Sequence, residues 1–281
     1  MVRQALARVA RCAAVCRGLS ACVGISLACV GETGRPCRAL VRARTAACIP
    51  AGTRGAIPDL EDTRMGNTTL TISSRNYSSW SLRGWLLTKF SGLPFEEIVV
   101  PIDDPATRAE LLLLSPSILV PCLVHDGVKV WDTLAIAEYL NELKPQAALL
   151  PHEIRARAHC RSICGEMHSG FASLRSALPM NLKAHFPGFK VWARAQSDIE
   201  RIVTIWRECL KEYGGPFLFG ERTAADAMYA PVVTRFVTYD VQLDPDIVEY
   251  GQYIMALPEM HEWIALARQE VEEIDELDVE F

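Results

Sequence analysis

Between Thr68 and Leu143 the hydrophobic pattern changes period several times. "TLTIS" is a short β-rich run and predicts a strand. From Trp80 to Phe90 the apolar positions Trp80, Leu82, Trp85, Leu86 and Phe90 recur at helical spacing, and Gly92 stands where a helix-ending glycine belongs. "FEEIVVPI" predicts a second strand, and residues 105–114 predict a short helix that Pro116 ends. "PCLVHDGVKVW" divides at Asp126-Gly127 into two short strands of a hairpin. "DTLAIAEYLNEL" is an amphipathic helix opened by Asp132-Thr133. Strand–helix alternation places the first two strands parallel, and the hairpin adds an antiparallel edge.

After the linker "KPQAALLPHE" no strand pattern recurs. Residues 153–178 and 190–213 each read as a long helix, and "GGPFLFG" (214–220) breaks the second. Thr223 and Asp226 have capping-box spacing, and Pro245 and Pro258 open further helices. The fold class is therefore α/β followed by all-α: a small mixed domain over 66–145, then a helical domain over 152–275.

Composition separates residues 1–64 from this body. They hold ten arginines, no lysine, four acids, six of the ten cysteines and none of the 22 aromatics. Without aromatic bulk such a stretch can hardly build its own core. It has the Arg-rich, acid-poor look of a transit peptide, and "GLSACVGISLACV" (18–30) has that of a secretory signal centre, too short to span a bilayer as a helix. The plainer reading is a disordered or mis-annotated extension, with translation starting at Met65; the other is a targeting segment.

Subtracting that stretch leaves 29 − 10 = 19 basic and 34 − 4 = 30 acidic residues in the body, a balance of −11. An acidic body argues against nucleic acid as the main partner. Four scattered body cysteines (Cys122, Cys160, Cys164, Cys209) read as reduced thiols of a cytoplasmic protein with no membrane partner. The six histidines make no ligand pattern, so no metal is expected. No Cys-x-x-Cys occurs in the first loop, no Gly-x-Ser-x-Gly and no phosphate loop occur anywhere, which excludes dithiol exchange, serine hydrolysis and nucleotide chemistry of those types.

The domain order and several local stretches together resemble soluble glutathione transferases, in a bacterial branch that works with serine. "NYSSWSLRGWLL" resembles the first-strand-to-helix loop of that branch, "VPCLV" its cis-proline segment, and "WDTLAIAEYL" its glutathione-holding helix. "EMHSGFASLRSALPMNL" and "FLFGERTAADAMYAPVVTRF" resemble its helical domain. The resemblance covers nearly all of 66–275 and none of 1–64. It implies a thioredoxin-like domain before the helical one, glutathione as co-substrate, a homodimer and a role in detoxification.

Glutathione chemistry needs a thiolate, whereas a free thiol with a pKa of about 8.5 is mostly protonated at neutral pH. A hydroxyl donor at a helix N-terminus favours the anion, and the run of hydroxyls before Trp80 stands where a strand gives way to a helix. By resemblance the active serine lies about one and a half turns before the helix arginine. Counting back from Arg83 gives Ser78, with Ser79 its neighbour and Asn76 and Tyr77 as rivals. The alternative is that Ser78 or Ser79 only caps the helix.

The resemblance further implies a cis Val120-Pro121 bond whose Val120 backbone pairs with the cysteinyl part of glutathione. Thr133 would hold the γ-glutamyl carboxylate and Asp132 the ammonium. Glutathione binding is thus assigned to Ser79, Val120, Pro121, Asp132 and Thr133. Relatives often carry Gly-Lys or Gly-Arg before Val-Pro, where this chain has Ile118-Leu119, so a basic contact to the glycyl carboxylate is missing or supplied elsewhere. Glu166, Met167, His168, Phe171 and Arg175 fall on neighbouring turns of one predicted helix. Of these Met167, His168 and Phe171 are assigned to the electrophile pocket, with core packing as the alternative for Met167 and Phe171. The activity implied is transfer of glutathione to a small electrophile; isomerisation, peroxide reduction and a non-catalytic binding or scaffold role on the same fold are the alternatives.

Overall fold

The computed structural model describes residues 68–101 and 120–271. The extension over 1–64, Met65, the helix predicted at 105–114 with Pro116, and Ile118-Leu119 lie outside the described residues.

Four strands form one sheet: β1 (Thr68–Ile72), β2 (Glu96–Val99), β3 (Cys122–His125) and β4 (Val128–Trp131), in the order β2-β1-β3-β4. β1 and β2 are parallel, while β3 is antiparallel to both β1 and β4. The arrangement follows from the connections. A helix joins β1 to β2, which a parallel pair requires, whereas the two-residue turn at Asp126-Gly127 joins β3 to β4. Both turn residues have positive φ (47° and 81°), the backbone of a type I′ hairpin, which glycine adopts freely.

Helix α1 (Ser79–Ser91) packs on α2 (Thr133–Leu143), and both cover the sheet. Their core is Leu70 and Ile72 of β1, Leu82, Trp85 and Leu86 of α1, Leu123 of β3, and Ile136 and Leu140 of α2, all fully buried. Each such aliphatic side chain contributes about 1.5–3 kcal/mol by leaving water. Gly92 ends α1 in the left-handed conformation (φ 70°) predicted for it, its N–H bonded to the Lys89 carbonyl.

The second layer is helical: α3 (Ile154–Ser169), α4 (Ala172–Ala177), α5 (Ala193–Tyr213), α6 (Ala224–Thr238), α7 (Pro245–Met255) and α8 (Pro258–Ala267). The single helix predicted over 153–178 is in fact two. Gly170 carries extended backbone, and a Cβ there would lie 2.7 Å from the Glu166 carbonyl oxygen; Phe171 follows with φ 59°. The apolar period continues across this break because Phe171 and Leu174 still turn inward, so periodicity alone could not reveal it. The new helix is anchored by the Leu174 N–H, which donates to Asp198 of α5 at 2.9 Å.

α6 is the buried centre of this layer and packs on α1 as well as on α3 and α7. Asp226 reaches back to the Thr223 N–H at 2.8 Å, one arm of the predicted capping box, and also accepts from the Leu218 N–H and the Tyr250 hydroxyl. Burial dominates over these bonds and raises the Asp226 pKa to about 6. No described helix is long and apolar enough to cross a membrane.

Candidate active site

The turn from β1 into α1 is organised by hydroxyls. Ser74 Oγ accepts from the Asn76 and Tyr77 N–H groups, each at 3.2 Å, and the Ser74 carbonyl accepts from the Ser78 N–H at 3.0 Å. This side chain–backbone turn delivers Ser78 to the N-cap of α1 in extended conformation (φ −88°, ψ 96°). Ser78 Oγ accepts from the Ser81 N–H at 3.2 Å and donates to Ser81 Oγ at 2.9 Å. Ser81 is also bonded by the Ser73 N–H, and its hydroxyl lies 3.2 Å from that of Ser73. Ser78 is half-buried, while Ser79, Ser81 and Ser73 are buried. Ser78 is therefore the helix cap and also the most accessible of these four hydroxyls. Asn76 is fully buried. Its amide donates to Asn181 and its oxygen accepts from the Leu182 and Lys183 N–H groups, so it stitches the turn to the helical layer.

The Val120–Pro121 bond is cis. Pro121 is buried directly beneath Gly84 of α1: a Cβ at Gly84 would stand 2.4 Å from Pro121 Cγ. The glycine lets the helix approach the proline, and the two fix where Val120 lies relative to the α1 N-terminus.

Asp132 caps α2, as the sequence predicts, by accepting from the Leu134 N–H at 2.8 Å and the Ala135 N–H at 3.3 Å. Its backbone (φ 76°, ψ 135°) occupies a region open mainly to glycine, at a cost on the order of 1–3 kcal/mol. Its second oxygen lies 3.1 Å from His168 Nε2 of the helical layer, so this carboxylate is already engaged on both sides. The neighbouring Thr133 hydroxyl is buried and has no partner among the described residues.

Trp80 forms the meeting point with the helical layer. The Arg83 and Arg175 guanidiniums lie 4.8 and 4.9 Å from its ring, and His168 meets it edge-on at 5.1 Å. Neither arginine forms an ion pair among the described residues. Their charges rest on carbonyls instead: Arg175 donates to Met167 and His168 at the negative end of α3, and Arg83 donates to Met228 at 2.7 Å. Burial, then the nearby Arg235 and Arg175, hold the Arg83 pKa well below its ordinary value.

The grouping of Glu166, Met167, His168, Phe171 and Arg175 on one helix is corrected by the break at Gly170. Met167 and Phe171 are 0% and 8% exposed and lie in the core cluster, the packing named as their alternative. His168 alone of the three is half-exposed. The Cys164 and Cys209 thiols of the helical layer are buried and favour the protonated form. The bond to Cys160, then burial, raises the Cys164 pKa well above normal, and burial raises that of Cys209 to about 12. Among the described residues no His, Cys, Asp and Glu side chains cluster to hold a metal.

Three participants escaped sequence reasoning. Ser81 was visible as one more hydroxyl in the serine run. Trp80 was visible only as an apolar position of a helix. Glu270, which accepts from Ser74 and from the Arg75 and Asn76 N–H groups, lies about 195 residues away and gave no signal.

The chain was compared with known proteins. Residues 77–143 match the family model for the glutathione S-transferase N-terminal domain, and residues 190–266 match that for the glutathione S-transferase C-terminal domain. The maleylacetoacetate isomerase of Rattus norvegicus is 30% identical over 177 residues, which are 61% of this chain and 79% of that protein. Glutathione S-transferase 1 of Dianthus caryophyllus is 26% identical over 170 residues, 59% of this chain and 77% of that protein. Among solved structures, a glutathione transferase homolog from Burkholderia with bound glutathione superposes with a TM-score of 0.56 at 24% identity. That match covers 73% of this chain and 99% of the other, a likeness of fold.

Proposed function

The chain belongs to the glutathione transferase superfamily, and from that premise we propose that it is a glutathione-dependent enzyme in which Ser78 holds the thiolate that attacks a small electrophile. The observation that carries this reading is the position of Ser78: an accessible hydroxyl at the N-cap of the helix that packs on cis Pro121.

The α1 N-terminus supplies partial positive charge. The Ser78 hydroxyl rotates its proton from Ser81 Oγ to the sulfur while still accepting from the Ser81 N–H, so the cap survives activation. Val120 offers its backbone N–H and carbonyl to the cysteinyl segment in strand-like pairing. The α2 N-terminus with the unpartnered Thr133 hydroxyl receives the γ-glutamyl carboxylate. Asp132 exchanges its contact with His168 for the γ-glutamyl ammonium. Ser79, buried, contributes as part of the first turn.

In transfer, the sulfur–carbon bond forms and the leaving group departs with its electron pair. A second reading, favoured by the isomerase relatives, uses the same thiolate differently. It adds to a conjugated double bond, the resulting single bond rotates, and the sulfur–carbon bond breaks again to return glutathione. Product analysis separates the two: transfer consumes glutathione and yields a thioether, whereas isomerisation consumes none. A cytoplasmic homodimer acting in detoxification accords with the first reading, and light scattering tests the dimer. A folded protein that neither stays on glutathione resin nor turns over any electrophile is a scaffold.

Ser78→Ala removes a hydrogen bond to a charged sulfur, worth about 1.5–3 kcal/mol or roughly one to two pKa units. Turnover at neutral pH is expected to fall roughly ten- to a hundredfold and to recover in part at higher pH. A folded Ser78→Ala enzyme with the wild-type pH–rate profile would show that Ser78 is a cap alone.

A further inference from the structure

The polypeptide does not end its work at α8. After Ala267 the chain turns tightly, with the Glu270 N–H bonded to the Ala267 carbonyl and Lys183 Nζ donating to the Glu270 carbonyl. This double anchoring fixes the Glu270 backbone and aims its side chain at the turn before α1. The carboxylate accepts from the Arg75 N–H at 2.7 Å, the Asn76 N–H at 3.1 Å and the Ser74 hydroxyl at 2.8 Å, and pairs more loosely with the Arg75 guanidinium at 3.7 Å. It is largely shielded from water, with 14% of its side chain exposed. Trp263 of α8 adds a further tie through its indole N–H to the Arg75 carbonyl at 3.0 Å.

The three groups that Glu270 holds are the ones that shape the approach to Ser78. Ser74 gives its proton to Glu270, which leaves its oxygen free to accept from Asn76 and Tyr77, while its carbonyl receives the Ser78 N–H. Resting on the reading of Ser78 above, we propose that Glu270 is a positioning residue for the thiolate site: its carboxylate locks the Ser74–Asn76 turn and thereby sets where the Ser78 hydroxyl points.

Geometry and charge pull the sulfur in opposite directions, which makes the role testable. A carboxylate acting only as a nearby negative charge disfavours the thiolate, so neutralising it would lower the thiol pKa. A carboxylate acting through Ser78 favours the thiolate, so neutralising it raises the pKa. Glu270→Gln keeps the volume but turns an amide NH2 towards N–H donors that need an acceptor.

The experiment uses the full chain in four forms: wild type, Glu270→Gln, Ser78→Ala and the double variant, with Glu270→Asp as a conservative rescue. Bound glutathione is titrated by its thiolate ultraviolet absorbance, and kcat and KM are measured across pH. The expected result is a thiol pKa raised by about one unit in Glu270→Gln, hence a thiolate fraction smaller by about three- to eightfold near neutral pH. No further rise is expected when Glu270→Gln is added to Ser78→Ala, and Glu270→Asp should recover part of the loss. Faster amide exchange at Arg75 and Asn76 in Glu270→Gln accompanies this result. A pKa that falls or stays put in Glu270→Gln, beside a raised one in Ser78→Ala, overturns the role of Glu270 alone. An unchanged pKa in Ser78→Ala overturns the Ser78 reading and the role of Glu270 with it.

Discussion

The β1–α1 turn and the Met167–Arg175 segment face each other across Trp80, and they are built by different means. Within itself the turn is held by hydroxyl and backbone bonds between residues two to eight apart, Ser74 to Asn76 and Tyr77, Ser78 to Ser81, Ser73 to Ser81, and Glu270, Asn181 and Trp263 brace it from afar. The opposite segment is held by packing and by cations seated on helix-end carbonyls, with Arg175 on Met167 and His168 and Arg235 on Leu178 at 2.8 Å. Local polar order fixes a direction for one hydroxyl. Packing order fixes a shape and leaves His168 and Arg175 half-exposed beside Trp80. Under the function proposed above, the first would face the constant glutathione and the second the electrophile that varies.

The comparison breaks most visibly at Gly84. Gly84→Ala drives a Cβ into Pro121, and overpacking should outweigh the helix-propensity gain of about 1 kcal/mol. The expected outcome is a net loss of about 2 kcal/mol in denaturant unfolding, together with a higher KM for glutathione and little change in KM for the electrophile. Equal effects on both would mean that the two walls are not independent.

Asp226→Asn should act on the helical side alone, reducing stability by about 1–2 kcal/mol through the loss of a buried, multiply bonded carboxyl group. Its pH dependence follows from linkage. The folded pKa of about 6 lies above the ordinary aspartate value, so the folded state binds the proton more tightly. The contribution of Asp226 is therefore fully present below pH 4 and declines as pH rises through 6. The deficit of Asp226→Asn should be larger at pH 5 than at pH 7, by on the order of 1 kcal/mol. Thermal melts at the two pH values check this, and a deficit that grows with pH would reverse the assignment.

The smallest expected change separates strain from binding at Asp132. Asp132→Ala and Asp132→Gly both lose the carboxylate and should raise KM for glutathione more than they lower kcat. Glycine alone relieves the positive φ, so Asp132→Gly should be more stable than Asp132→Ala by about 1 kcal/mol in the same unfolding assay. Equal stabilities would show that the neighbouring bonds hold this backbone without strain.

How much of this was legible in the sequence follows the same division. The strands, the Asp126-Gly127 hairpin, the Gly92 stop and the Asp132 cap are local events, and local residue types announced them. The cis bond and the candidate serine came from a resemblance between short stretches, again local. The break at Gly170–Phe171 did not show, because a helix and two abutting helices bury the same apolar spacing. Nor could the sequence decide between pocket and core for Met167, or reveal that Arg83 and Arg175 flank Trp80 or that Glu270 reaches the turn. Each depends on contacts between distant segments.

That last contact also has a temporal side. A ribosome adding about 5–20 residues per second needs roughly ten to forty seconds to pass from Ser74 to Glu270, a separation of 196 positions. Throughout that interval the Arg75 and Asn76 N–H groups have no Glu270 to receive them. The turn that opens α1 thus lacks one of its acceptors until α8 and the residues after it have been made. On the reading of Ser78 proposed above, a nascent chain arrested before α8 would present the Ser74–Asn76 turn without the carboxylate that locks it.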